Sequence, residues 1–300
     1  MKKFILHLLL FFAIVAIVDL VAGYSFHYLQ ANKAKGGTES EYYICNELQE
    51  DILIMGSSRA AHHYVPQVIS DSLGLSCYNG GQDGNGIVMQ YGRWKMIEKA
   101  HKPKVIIYDI EPAFDLLGND NTRYIDRLKP FSGDKDVLRY IAGIFPMERL
   151  KLQSRMYRYN YKFLEILSDW VRPEKVINGY KPVYGHIRKE MISEQLENQR
   201  TIEQIDPVKM DCLTKLVSEA TDLGITVVIV SSPYWKGYSN YDLGLIADFA
   251  ERNGVLFIDY ANSGIRNNPD WFADSMHLNN EGACVFSSDL VTRLKPLLSR

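Results

Sequence analysis

No cysteine in this chain belongs to a C-x-x-C pair; the four that occur, Cys45, Cys77, Cys212 and Cys284, are scattered singly. That spacing excludes the common zinc and dithiol motifs and leaves the four as small apolar side chains. An oxidising compartment would permit a disulfide, but no spacing argues for one. An excess of charge of either sign is also missing. The formal net charge is −2 and the pI about 6.4, so the electrostatic footprint of a nucleic-acid-binding protein is absent. Internal repeats and low-complexity tracts are lacking too, which removes solenoids and disordered arrays from consideration. What is present is apolar material: 46% of 300 residues, with 12% aromatic. That composition supports a large core, arranged as one α/β domain or two smaller ones.

The longest apolar run lies at the amino terminus. Lys2 and Lys3 precede Phe4 to Gly23, interrupted only by His7 and Asp19. Nineteen or so helical residues span roughly 28 Å, close to the hydrocarbon thickness of a bilayer. The lysines are expected to stay cytoplasmic, placing the remainder outside. A cleaved signal peptide is the rival, with Val21-Ala22-Gly23 as a small-residue cleavage site. The run is longer than an ordinary signal core, and Tyr24, Phe26 and Tyr28 extend it as an interfacial belt, so residues 1–23 read as an uncleaved anchor. Cleavage would make the protein secreted. Residues 24–50 then read as a linker, polar from Gln30 to Glu41.

From residue 51 onward short apolar runs alternate with helical patterns. Ile52–Met55, Leu75–Tyr78, Val105–Tyr108, Ile225–Val230 and Val255–Ile258 read as buried strands, with helices expected over 60–73 and 88–100. Such alternation predicts a five-stranded parallel sheet with helices on both faces, a flavodoxin-like three-layer α/β/α sandwich. Residues 115–205 interrupt it. That stretch has a helical pattern broken at Pro146, Pro173 and Pro182, and it reads as a helical lid over the crevice. Arg149, Arg155, Tyr157 and Arg158 within it are candidates for binding a glycan or anionic chain, against the plainer reading of a solvated basic face.

Two pieces carry chemistry. Asp51-Ile-Leu-Ile-Met-Gly-Ser-Ser-Arg59 is a buried strand ending in a small-residue turn, which presents Ser58 where an open α/β sheet exposes its ligand crevice. Far downstream, Asp274-Ser-Met-His277 places an acid three residues before a histidine. Ser58, His277 and Asp274 make a nucleophile, base and orienting acid, a set recognised by roles rather than chain order. The plainer alternative is a strand-end turn serine and a helix-capping aspartate. Arg59 is expected to pair with a carboxylate near the strand end. His62 and His63 with Asp83 raise a metal site, which adjacency argues against: neighbouring helical residues face different ways. No metal and no cofactor is therefore assigned.

These blocks resemble those of the SGNH (GDSL-like) hydrolases. Gly56-Ser57-Ser58 matches the first block, with its nucleophile at Ser58; Asp274-x-x-His277 matches the last. Asn79-Gly-Gly-Gln-Asp-Gly84 is similar to the second block, whose glycine donates a backbone N–H to the oxyanion. The resemblance covers about 50–112 and 205–295. It implies the fold of that family, a Ser-His-Asp mechanism, and oxyanion donors at the backbone of Ser58 and Gly84. The third block, Gly-x-Asn-Asp, is not in place: Asp109-Ile-Glu-Pro112 follows the third strand, and Gly118-Asn-Asp120 comes late. Glu111 takes the asparagine's slot without being a donor, which leaves Asn85 or Asn119 as the side-chain alternative. With the anchor, the resemblance implies an extracytoplasmic esterase or O-acyltransferase acting on an acylated cell-envelope glycan. The rival is a catalytically silent carbohydrate- or partner-binding member.

Overall fold

Each strand of the central sheet alternates its side chains between two cores, and that alternation sets the layers. The computed structural model describes residues 1–118, 125–188, 204–235 and 243–298. Strands β1 (Ile52–Gly56), β2 (Cys77–Asn79), β3 (Val105–Asp109), β4 (Thr226–Ser231) and β5 (Leu256–Asp259) form one parallel sheet in the order β2-β1-β3-β4-β5. Leu53, Met55, Ile106, Tyr108, Val227 and Ile229 point into one core. Ile52, Ile54, Val105, Ile107, Val228 and Val230 point into the other. Strands buried on both faces need such continuous apolar runs, because helices cover each side.

The first core is closed by α2 (Gly36–Asn46), α5 (Ile87–Ala100), α7 (Lys135–Ile144), α10 (Pro207–Asp222) and α11 (Gly244–Arg252). The second is closed by α3 (Ser58–His63), α4 (Pro66–Leu73) and α12 (Asn280–Leu298). The expected sandwich is thus the observed one, with the flavodoxin-like strand order. The single helix expected over 60–73 is two helices. Val65 precedes Pro66, and a residue before proline is pushed out of the helical region; α3 ends, and α4 starts on the proline itself.

At the amino terminus α1 (Lys2–Asn32) is one unbroken helix, roughly 46 Å long at 1.5 Å per residue. It is long and apolar enough to cross a membrane. The expected linker 24–50 is not one. Residues 24–32 complete α1, and Gly36, at φ +62°, opens α2. Its polar residues are buried against distant partners: Thr38 N–H donates to Asp169 Oδ2 at 2.9 Å, and Glu41 pairs with Lys162 and, at 2.6 Å, with Arg127.

Among its described residues the insertion is helical up to Val171. After the short α6 (Pro112–Asp115) come a 3-10 turn Asp126–Phe131, α7, α8 (Glu148–Lys151), a 3-10 turn Tyr157–Tyr159 and α9 (Phe163–Val171). These pack against α1, α2 and α5 rather than closing as a lid. From Arg172 to Arg188 the chain is an irregular strap. It returns across the carboxyl ends of the strands, with Asn79 N–H bonded to Asn178 O at 2.9 Å and Lys181 N–H to Ala61 O at 3.0 Å.

Candidate active site

β1 ends at Gly56, held at φ +142° against β3. A Cβ there would lie 2.6 Å from Asp109 O and 2.9 Å from Ala60 Cβ, so only glycine lets the chain turn so closely. Ser57 follows in extended conformation, and Ser58 is the first residue of α3. Ser58 therefore stands at the carboxyl end of β1, beside the point where strand order reverses between β2 and β3.

His277 reaches Ser58 from the loop between β5 and α12. Its Nε2 is 2.8 Å from Ser58 Oγ, and its Nδ1 is 3.0 Å from Asp274 Oδ2. The tight turn that carries both residues is closed by Asp274 Oδ1, which accepts the backbone N–H groups of Met276 and His277 at 2.8 Å each. Burial raises the Asp274 pKa, but the His277 hydrogen bond and charge and the two amides outweigh it, so the carboxyl sits below its ordinary value. An ionised Asp274 fixes Nδ1 as the donor, leaving Nε2 free to accept the serine proton. The three residues foreseen as a triad are joined in one line.

The adjacent histidines serve two different purposes, as their opposite directions on α3 require. His63 is fully buried. Its Nε2 accepts the N–H of Leu278 at 3.1 Å, so its Nδ1 must donate, at 2.9 Å, to Ser232 Oγ; that hydroxyl donates onward to Asp109 Oδ2 at 3.0 Å. Desolvation first, then the neighbouring His277, Arg59 and His62, hold His63 well below the usual histidine pKa. It is a neutral strut between β3 and the residue that follows His277.

His62 faces Asp83 and the strap. Its Nδ1 is 2.7 Å from Lys181 O and its Nε2 2.9 Å from Asp83 Oδ1. One nitrogen bonds a carbonyl and the other lies at ion-pair distance from a carboxylate, an arrangement that favours the imidazolium. Burial lowers its pKa, but the Asp83 hydrogen bond and charge outweigh that and raise it. Lys181 Nζ holds the other Asp83 oxygen at 2.9 Å, and the His62 ring meets the His277 ring edge-on at 5.3 Å. His62, Asp83 and Lys181 thus clamp the loop carrying Gly84 to α3. Lys181 was not foreseen: Pro173 and Pro182 mark an extended segment, but no local pattern says what it crosses.

Of the expected oxyanion donors, Ser58 N–H lies in the first turn of α3, where helix geometry gives it no preceding carbonyl. Gly84 follows the clamped Asp83 at φ +65°. Asn85 donates its amide to Asp83 O at 2.9 Å, so its side chain serves the loop rather than the crevice. Asn119 lies outside the described residues. Glu111 is buried and paired with Arg59 at 2.9 Å. Arg59 also donates to Ile110 O at 2.5 Å and to Ser232 O at 3.0 Å, which makes it the buried strand-end cation expected from its position.

The four candidate substrate residues of the insertion are not brought to the triad. Arg155 covers the Tyr24 ring at 4.5 Å and touches Gly23 of α1. Arg158 donates to Leu152 O, and Tyr157 donates to Glu148. Arg149 is exposed on α8. The segment is basic and aromatic because it seats the first helix, a long-range partnership that composition does not reveal. No protein-family model matches the chain, and no curated protein is similar to it in sequence.

Proposed function

We propose that this protein is a membrane-anchored serine esterase or O-acyltransferase of the SGNH type, acting outside the cytoplasm on acyl esters of a cell-envelope glycan. The observation that carries this reading is the continuous line from Asp274 through His277 to Ser58, at 3.0 and 2.8 Å. Ser58 Oγ attacks the ester carbonyl carbon while His277 Nε2 takes its proton, and Asp274 stabilises the imidazolium that results. The backbone N–H groups of Ser58 and Gly84 meet the developing oxyanion. Collapse breaks the ester C–O bond as His277 returns the proton to the leaving alcohol. The acyl group on Ser58 then passes to water in an esterase, or to a sugar hydroxyl in a transferase.

A carboxylate at Glu111 would oppose a nearby oxyanion, but Arg59 neutralises it. The glycan substrate rests on the resemblance and on the anchor. Support for an uncleaved anchor comes from α1, which runs unbroken through Val21-Ala22-Gly23. Gly23 is buried against Arg155, and peptide cleavage there would need an accessible extended strand. Lys2 and Lys3 favour a cytoplasmic start. One observation favours a second reading, a silent binding protein: Glu111, which by spacing takes the slot of the family's asparagine, is a buried carboxylate paired with Arg59.

A fluorophosphonate probe separates the two. The active reading expects covalent labelling at Ser58 that is lost in Ser58→Ala, together with a fall in small-ester turnover on the order of 10⁶. Ser57→Ala is expected to keep most activity, because the buried Ser57 hydroxyl contacts no polar partner. Unlabelled wild-type protein would establish the silent reading.

A further inference from the structure

α9 is built inside out for a surface helix. Its acidic residues turn toward the protein: Glu165 pairs with Lys162 and Arg127 at 3.2 Å, and Asp169 accepts Thr38 N–H. Its outward stripe is apolar, with Leu164, Leu167, Trp170 and Val171 between 36% and 71% exposed. Spacings of three, three and one place them along one side of the helix. Met147, which precedes α8, and Leu150 within it add exposures of 65% and 69%. Contiguous apolar surface of this kind marks an interaction site.

Its surroundings identify the occupant. The segment leading into α9 is fixed to α1 at the depth where the exposed apolar helix begins. Asp19 of α1 accepts the Ser154 hydroxyl and the N–H groups of Arg155 and Met156, the latter two at 2.8 and 3.0 Å. Phe26 stacks on Tyr159 at 5.9 Å and meets Phe163 at 6.1 Å. A groove of about 660 Å³ between α1 and α9 is lined by Phe26, Met156, Tyr159 and Phe163. The exposed charges around the patch are mostly basic, Arg149, Lys151, Arg172 and Lys175, and the acid among them, Glu174, is held by Lys181 at 3.0 Å. Apolar stripe, aromatic residues and a basic rim are the features of a helix lying in a lipid interface, where anionic headgroups attract lysine and arginine.

We infer that α8, the 154–163 segment and α9 form a second membrane contact, seated in the headgroup region of the bilayer that α1 crosses, with a lipid acyl chain in the groove. The inference rests on the reading of α1 as an anchor. The helical part of the insertion is then a foot, and glycan recognition under the proposed function falls to the strap and the crevice.

The test uses the full chain in vesicles of phosphatidylethanolamine and phosphatidylglycerol, in a Cys284→Ser background. Nitroxide labels are placed singly through Phe12→Cys on α1, Leu164→Cys on α9 and Gln67→Cys on exposed α4. The ratio of oxygen to water-soluble nickel-chelate accessibility is read at each. The expected result is a high ratio at Phe12, an intermediate ratio at Leu164 well above that at Gln67, and a further rise at Leu164 with more phosphatidylglycerol. A Leu164 ratio equal to that at Gln67 overturns the inference, and leaves the anchor standing if Phe12 stays high. Low ratios at both Phe12 and Leu164 overturn inference and anchor together. Exclusion of both reagents at Leu164, with spin–spin broadening between copies, would assign the face to a second copy instead.

Discussion

His62 and His63 are sequence neighbours with opposite protonation chemistry, because one is surrounded by acceptors and the other lies between a donor and a hydroxyl. The His62 charge contributes stability that is fully present below the ordinary histidine pKa and is lost as pH rises through its raised folded value. Thermal stability is therefore expected to fall on the alkaline side, and less so in Asp83→Asn, when melting temperature is followed against pH. Nitrogen-15 spectra of the His62 ring should show both nitrogens protonated at neutral pH; a single neutral tautomer there would falsify the clamp. At Asp274 the depressed pKa keeps the carboxylate ionised well into acid, so loss of its charge does not set the acid limb of activity near neutrality. Asp274→Asn, which would fix the wrong histidine tautomer, is expected to reduce turnover by about 10⁴ with the fold unchanged, measurable on any small ester. These roles were unevenly legible. Ser58 and the Asp274–His277 turn could be read because each is written locally, as a strand end and a three-residue spacing. Lys181, and His63 as a strut, depend on chain segments that meet only in the folded molecule.

Among the elements, α2 shows most clearly how far local pattern reaches. Its polar start looks like a solvated linker until Glu41 is seen between Lys162 and Arg127. Burial raises the Glu41 pKa, and the two cations more than reverse it, so acid removes stability as pH falls through and below the ordinary glutamate range. Glu41→Gln leaves two buried cations undercompensated and is expected to cost about 3 kcal/mol, the lower end for a broken buried pair, since Glu165 still faces both. Urea unfolding in detergent would measure it. Adding Lys162→Met should recover a large share, because the two sites are in direct contact. Four of the strands, by contrast, were legible to within a residue, since a parallel sheet covered on both faces leaves continuous apolar runs, while the edge strand β2 starts two residues later than its apolar run suggests. The insertion's helices were legible and their destination was not: their arginines and tyrosines answer to α1, more than a hundred residues earlier.

For the molecule as a whole, α1 is structural as well as apolar. Peptides from within residues 4–23 should be recoverable by mass spectrometry from the mature, membrane-fractionated protein; a soluble form beginning near Tyr24 would sink the anchor. The docking of α1 through Asp19, Gly23 and Phe26 has a consequence for reach. A catalytic domain on a flexible leash sweeps a hemisphere and meets substrate at many heights. One mounted on a rigid post works at a single altitude and in a single orientation. Under the proposed function, Ser58 would sample only a thin slab parallel to the bilayer, and polymer strands would have to thread through that slab to be processed. Lengthening the post by whole helical turns would shift which acyl groups along an anchored polymer are reached, with no change in turnover of a freely diffusing ester.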